Sequence, residues 1–283
     1  MKELVVAAVQ MISSFGSAGD NMVRIYEWTS EAARKGAQLV FFPECCLTGY
    51  SAAHASEVAI SLDDANIAQI EKHAAELGIA IGFGFIERAV SGAGASCFGN
   101  SQNAASPTNP YNTYVVMGGD ERLIYRKTHL GLREQQAFTA GDELPVNLIA
   151  GIKVGVQLCW EAHIPDITTT LRAKGAELVL MPHAVGVGGL RRTELWSRYL
   201  PARAYDNGLF VVACNALRQD GEDVVGGGIV AYGPDGLCQA ICEGEGEGML
   251  LVRVGGTLPR DNPDAGMRGA SYFDRRRPEL YLA

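Results

Sequence analysis

The sequence predicts an α/β fold in which helices cover mixed β-sheets. Three observations carry this. Apolar, β-branched runs alternate with segments of helical period along most of the 283 residues. Glycines recur where the helical pattern stops, at Gly36, Gly78 and Gly175. Two hairpin patterns, around Gly119–Asp120 and at GPDG (233–236), add antiparallel strands to an otherwise parallel arrangement.

The elements follow in order. LVVAAVQM (4–11) is a first strand: its apolar run is short and contains Gln10, which argues against a signal peptide. A helix over about 20–35 leads to the buried strand LVFFP (39–43). A helix over 64–77 stops at Gly78 before the strand IAIGFGFIE (79–87). Residues 91–112 are rich in Gly, Ser, Ala and Asn and read as a loop that shapes an entrance. TYVVMG and RLIYRK (113–127) pair as a hairpin. KVGVQLC (153–159), a helix to about 174, ELVLMP (177–182), a helix over 193–206 and LFVVACNAL (209–217) continue the alternation. IVAYGPDGLCQAIC forms a second hairpin and GMLLVRV (248–254) the last strand. No linker intervenes, so residues 1–283 read as a single domain with a polar C-terminal tail from about 255. GFG (82–84) lacks the third glycine of a dinucleotide loop, and EGEGEG (243–248) reads as a solvated turn.

Composition excludes several function classes. The chain is 47% hydrophobic and carries a net charge of −8. That balance argues against a nucleic-acid footprint and against docking on anionic membranes. No apolar run approaches the roughly 20 residues needed to span a bilayer. Seven cysteines in no regular spacing point to a reducing, cytoplasmic setting.

The chemistry lies where apolar strands stop. LVFFPE delivers Glu44, RLIYRK delivers Lys127, and VGVQLC delivers Cys159. A thiol with a pKa of about 8.5 is mostly protonated at neutral pH, so as a nucleophile it needs a base or a neighbouring cation. A carboxylate can take its proton, and a buried ammonium can hold an oxyanion. Cys, Glu and Lys are thus a sufficient kit for acyl transfer. KGAQLVFFPE (35–44) and KGAELVLMPH (174–183) also echo one another. Any αβ unit yields such a pattern; a two-fold duplication would further place Glu44 and His183 at equivalent strand ends, where α/β sheets bind ligands.

The chain resembles the nitrilase superfamily of carbon–nitrogen hydrolases over nearly its whole length. The resemblance is carried by FFPECCLTGY (41–50), YRKTHL (125–130), VGVQLCWEAHIPD (154–166), LPARAYDNG (200–208) and RRRPELY (275–281). It implies a Glu44–Lys127–Cys159 triad and a second glutamate, for which EQQAFTAG (134–141) offers Glu134. It implies a four-layer αββα sandwich of two mixed sheets, a homodimer or higher homo-oligomer, no metal or organic cofactor, and a small-molecule amide or N-carbamoyl amine as substrate. A nitrilase acting on a nitrile and a catalytically silent binding module are the alternatives. Residues next to the catalytic positions are pocket candidates: Tyr50, Trp160, Glu161, His183 and Ala184. Trp160 is equally compatible with a core position, and Glu161 with a helix first turn. The helix after Cys159 is expected to turn its positive end on the oxyanion. The run Trp-Glu-Ala-His-Ile-Pro-Asp after Cys159 departs from that of many amidase branches.

Overall fold

Each apolar run becomes a strand, and the runs are continuous because both faces of most strands are covered. The computed structural model describes residues 2–89, 109–184, 191–220, 223–244, 246–256 and 273–281. Its first five strands are β1 (Leu4–Gln10), β2 (Leu39–Phe41), β3 (Ala80–Glu87), β4 (Tyr111–Gly118) and β5 (Glu121–Arg126). The next five are β6 (Val146–Ile149), β7 (Ile152–Val156), β8 (Leu178–His183), β9 (Phe210–Asn215) and β10 (Leu217–Asp220). β11 (Asp223–Gly226), β12 (Ile229–Tyr232), β13 (Cys238–Cys242) and β14 (Gly248–Val254) complete them. The helices are α1 (Ala18–Arg34), α2 (Ala65–Leu77), α3 (Pro165–Ala173), α4 (Arg192–Trp196) and α5 (Leu200–Asn207).

Two six-stranded sheets result, in the orders β14-β1-β2-β3-β4-β5 and β13-β12-β9-β8-β7-β6. Each has a parallel centre, β1-β2-β3 or β7-β8-β9, flanked by antiparallel strands. The echoed sequences are the middle strands of these centres, β2 and β8. Their entries match bond for bond. Gln38 N donates to Val5 O and Gln38 O accepts from Ala80 N, both at 2.9 Å. Glu177 N donates to Lys153 O at 2.8 Å and Glu177 O accepts from Phe210 N at 3.0 Å.

Alternation along each strand builds the layers. Val6, Ala8 and Phe41 meet Val154, Leu180 and Val212 in the core between the sheets. Ala7, Val9 and Val40 face α1 and α2 through Ile25, Ile67 and Ile70. Val179, Met181 and Val211 face α3, α4 and α5 through Leu171, Trp196 and Leu200. The stack is α-β-β-α, the four-layer sandwich expected from the resemblance. No described helix is long and apolar enough to cross a membrane.

Several boundaries differ from the sequence reading. The helix expected over 193–206 is two, with Pro201 in the first turn of α5, where its missing N–H costs nothing. The expected loop overruns into β4, which starts at Tyr111, and most of the rest of that loop lies outside the described residues. The acidic run is more than a solvated turn. Glu247 accepts from Ile12 N at 2.8 Å and pairs with Arg24 at 3.0 Å, tying the exit of β1 to α1.

Candidate active site

Glu44 follows β2 through Pro43, and the chain then turns at Cys45 with φ +51°. The turn passes so close to β3 that a Cβ on Gly84 would lie 2.6 Å from Cys45 N, which accounts for one glycine of GFG. The Glu44 carboxylate is buried. Its Oε1 accepts from Lys127 Nζ at 2.9 Å and from Asn112 Nδ2 at 2.8 Å. Its Oε2 takes no hydrogen bond among the described residues, so one lone pair set stands open.

Lys127 leaves the end of β5 and is held in place when its N–H donates to Asn112 O at 2.9 Å. Its ammonium, 1% exposed, also donates to Glu134 Oε1 at 2.8 Å, and so bridges two carboxylates. Tyr50 OH donates to the same Glu134 oxygen at 3.1 Å, and Gly131 N to Glu134 Oε2 at 2.7 Å. Burial works against the charge on Lys127, but Glu44, Cys159 and Glu134 outweigh it and hold the pKa well above the ordinary lysine value. Burial pushes the Glu44 carboxyl up, with Lys127 pulling down and Glu134 pushing up again.

Strand β7 ends at Val156, and Cys159 opens a short 3-10 turn, Cys159–His163. Cys159 has φ +46°, a left-handed conformation that costs a non-glycine residue about 1–3 kcal/mol and so marks a constrained site. Cys159 is buried, with 8% of the residue exposed. Burial foremost, then the charge of Glu44, raises its pKa to about 12, while Lys127 and Arg192 pull the other way. The resting group is a thiol under the influence of Glu44, Lys127 and Glu134, with its proton still to be removed. The expected helix start is displaced: α3 begins at Pro165, beyond the 3-10 turn, so its dipole is not aimed from the residue after Cys159.

The pocket candidates divide. Tyr50 reaches Glu134, stacking its ring on Phe138 with centroids 6.5 Å apart. Trp160 is 51% exposed and not core. A Cβ on Gly131 would sit 3.9 Å from Trp160 Cγ and 3.2 Å from Glu134 Oε2, so the Glu134 turn abuts the residue after the thiol. Ala184 is half-buried just past β8. Glu161 is corrected: it is fully buried and both its oxygens are engaged by protein donors, so it offers nothing to a cationic substrate end. His183 is corrected too. Trp196 Nε1 can only donate, so it fixes His183 Nε2 as acceptor at 3.1 Å, and Nδ1–H then donates to Met181 O at 2.8 Å. Neither ring nitrogen is left for a ligand.

Two site residues escaped the sequence reading. Asn112 orients Glu44 and Lys127 together; its only signal was a polar residue early in the apolar run YNTYVVMG. Arg192, buried on α4, places a second cation near Cys159, His163 and His183, and nothing in RRTELW signalled it.

Comparison with known proteins places the chain in a family. Residues 5–256 match the carbon–nitrogen hydrolase family. The chain is 28% identical to deaminated glutathione amidase of Mus musculus, over 99% of this chain and 85% of that protein. It is 26% identical to N-carbamoylputrescine amidase of Arabidopsis thaliana, over 99% of this chain and 94% of that one. Among solved structures it resembles a mutant amidase from Nesterenkonia sp. AN1 that shows covalent addition of the acetamide moiety of fluoroacetamide at its active-site cysteine. There the TM-score is 0.77 and the identity 25%, over 98% of this chain and 95% of that one.

Proposed function

The chain belongs to the carbon–nitrogen hydrolase family, within the amidase branch of the nitrilase superfamily, and we propose that it hydrolyses a small amide through a thioester on Cys159. The observation that carries this reading is the single buried ammonium of Lys127 bridging Glu44 and Glu134 beside that thiol.

Each step has a group suited to it. Cys159 sulfur attacks the carbonyl carbon, and its proton passes to the open Oε2 of Glu44. The carbonyl pair moves to oxygen, where Lys127 Nζ and the Trp160 N–H hold the oxyanion. When the tetrahedral carbon collapses, the C–N bond breaks and Glu44 gives its proton to the departing nitrogen. Water then attacks the thioester and Glu44 takes its proton; as the C–S bond breaks, Glu44 returns that proton to the sulfur, so the thiol and the Glu44 carboxylate are restored and the acid departs. Glu134 and Tyr50 keep the ammonium between the two carboxylates throughout. The raised pKa of Cys159 suits this order, since proton transfer accompanies attack rather than preceding it.

The test is ammonia or amine release from small aliphatic amides, N-carbamoyl amines and matched nitriles, by the wild type and Cys159→Ala. Turnover of amides that Cys159→Ala abolishes is the expected result. Preference for the nitrile of a matched pair would make the enzyme a nitrilase. Absence of turnover, with Cys159 alkylated no faster than other thiols, would make it a binding module.

A further inference from the structure

We propose that Glu161 is the positioning residue that fixes Lys127 and Cys159 relative to one another, an inference that rests on reading Cys159 as the nucleophile. Its two carboxylate oxygens divide the work. Oε1 accepts from Tyr125 OH at 2.6 Å, Thr128 N at 2.9 Å, Thr128 Oγ1 at 2.8 Å and His129 N at 3.0 Å. These donors bracket Lys127 on both sides. Oε2 accepts at 2.8 Å from the N–H of Leu158, the residue just before Cys159. Glu161 N returns a bond to Leu158 O at 2.9 Å, closing the turn that contains the left-handed Cys159 from both directions.

Lys127 and Cys159 are 32 residues apart in sequence and come from different sheets. They need a common reference if the ammonium is to meet an oxyanion built on the sulfur. Glu44 and Glu134 hold the far end of the Lys127 side chain. Glu161 holds the backbone that follows Lys127, through Thr128 N and His129 N, and with the same group the backbone that precedes the nucleophile, through Leu158 N. A carboxylate suits this place because it only accepts, and every group around it donates. An amide would turn an N–H towards either Leu158 N–H or the Oε1 donors, so one arm would come loose.

A misplacement of about 1 Å can cost on the order of 10²-fold in rate. Glu161→Gln is therefore expected to lower kcat by roughly that factor with little change in KM. Removing Lys127 from the sulfur also removes a charge that favours thiolate, so the pH profile of Cys159 alkylation by iodoacetamide should move to higher pH. Thr128→Val, which removes one Oε1 donor and keeps the backbone bonds, should shift both readouts the same way by less, and decides the matter if Glu161→Gln does not fold. Thr29→Val is the control: its buried hydroxyl donates to Ile25 O at 2.6 Å within α1, and neither residue bonds to Glu161. It should lose stability without shifting the alkylation profile. Unchanged kcat in the folded Glu161→Gln or Thr128→Val proteins would overturn the proposal. So would a loss of kcat with an unshifted alkylation profile, matched by Thr29→Val at equal loss of Tm. Activity surviving in Cys159→Ala would instead overturn the nucleophile reading, a separate outcome.

Discussion

At the scale of residues, the site is a balance of charges in a dry place. One ammonium serves two carboxylates, and the thiol's pKa is raised foremost by burial and then by the charge of Glu44, with Lys127 and Arg192 pulling the other way. Lys127→Met should therefore harm both rate and stability. Losing one oxyanion donor typically costs about 10²–10³ in kcat. Breaking a buried pair costs about 3–5 kcal/mol, here by leaving Glu44 and Glu134 without the charge between them, which urea denaturation would register. The pH dependence has a definite sign. Glu44 must be ionised to take a proton, and burial raises its pKa, so the acid limb of kcat/KM should lie above the ordinary carboxylate value and activity should fall as pH drops through it. The Asn112 hydrogen bond favours the ionised form. Asn112→Ala should move that limb to still higher pH; a limb that stays put or moves down would contradict the role given to Asn112. The strand-end positions of Glu44, Lys127 and Cys159 were legible in the sequence because an apolar run that stops on a reactive group is a local pattern. Asn112, Glu161 and Arg192 were not, because their roles depend on what the fold packs against them.

At the scale of elements, β2 and β8 show how one pattern yields two outcomes. Both are middle strands with matched entry bonds, yet their exits differ. Pro43 lets the chain leave β2 and carry Glu44 into the site, whereas β8 runs through Pro182 to His183. There the strand continues beside β9, in register through His183 and Asn215, and the imidazole is spent on Trp196 and Met181. The echo was legible; the divergence was not, since it is decided by pairing with β9. His183 gives this element a pH signature. Burial first, then the charge of Arg192, lowers its pKa well below the ordinary value. An unfolded histidine takes up a proton near about pH 6.5, so the stability this residue contributes is complete above that pH and declines as pH falls further. His183→Asn should flatten the dependence of Tm on pH between about 7 and 5 relative to the wild type. Parallel curves would show that the ring is not held neutral.

At the scale of the whole molecule, the two sheets act as a frame that brings separate loops to one place. Sheet one supplies Glu44, Asn112 and Lys127, and sheet two supplies Cys159. The frame depends on the core between them, where Leu180 is fully buried opposite residues such as Val6 and Phe41. Leu180→Ala should cost about 2–5 kcal/mol by denaturant unfolding, with ammonia release per folded molecule preserved, because the side chain packs in the core between the sheets and bonds to none of the site groups. The α/β class and the mixed sheets were legible from alternation and from two hairpins. The four layers came only through the resemblance, since alternation does not say how many sheets share the strands.

The proposed chemistry turns on a thioester at Cys159. The measurement that meets it most directly is peptide mass mapping of the protein, acid-quenched during turnover of a small aliphatic amide. The acyl mass is expected on the peptide carrying Cys159, and none on that peptide in Cys159→Ala, which should not turn over. Turnover with that peptide unmodified, or acyl mass confined to Cys45 or another thiol, would contradict it.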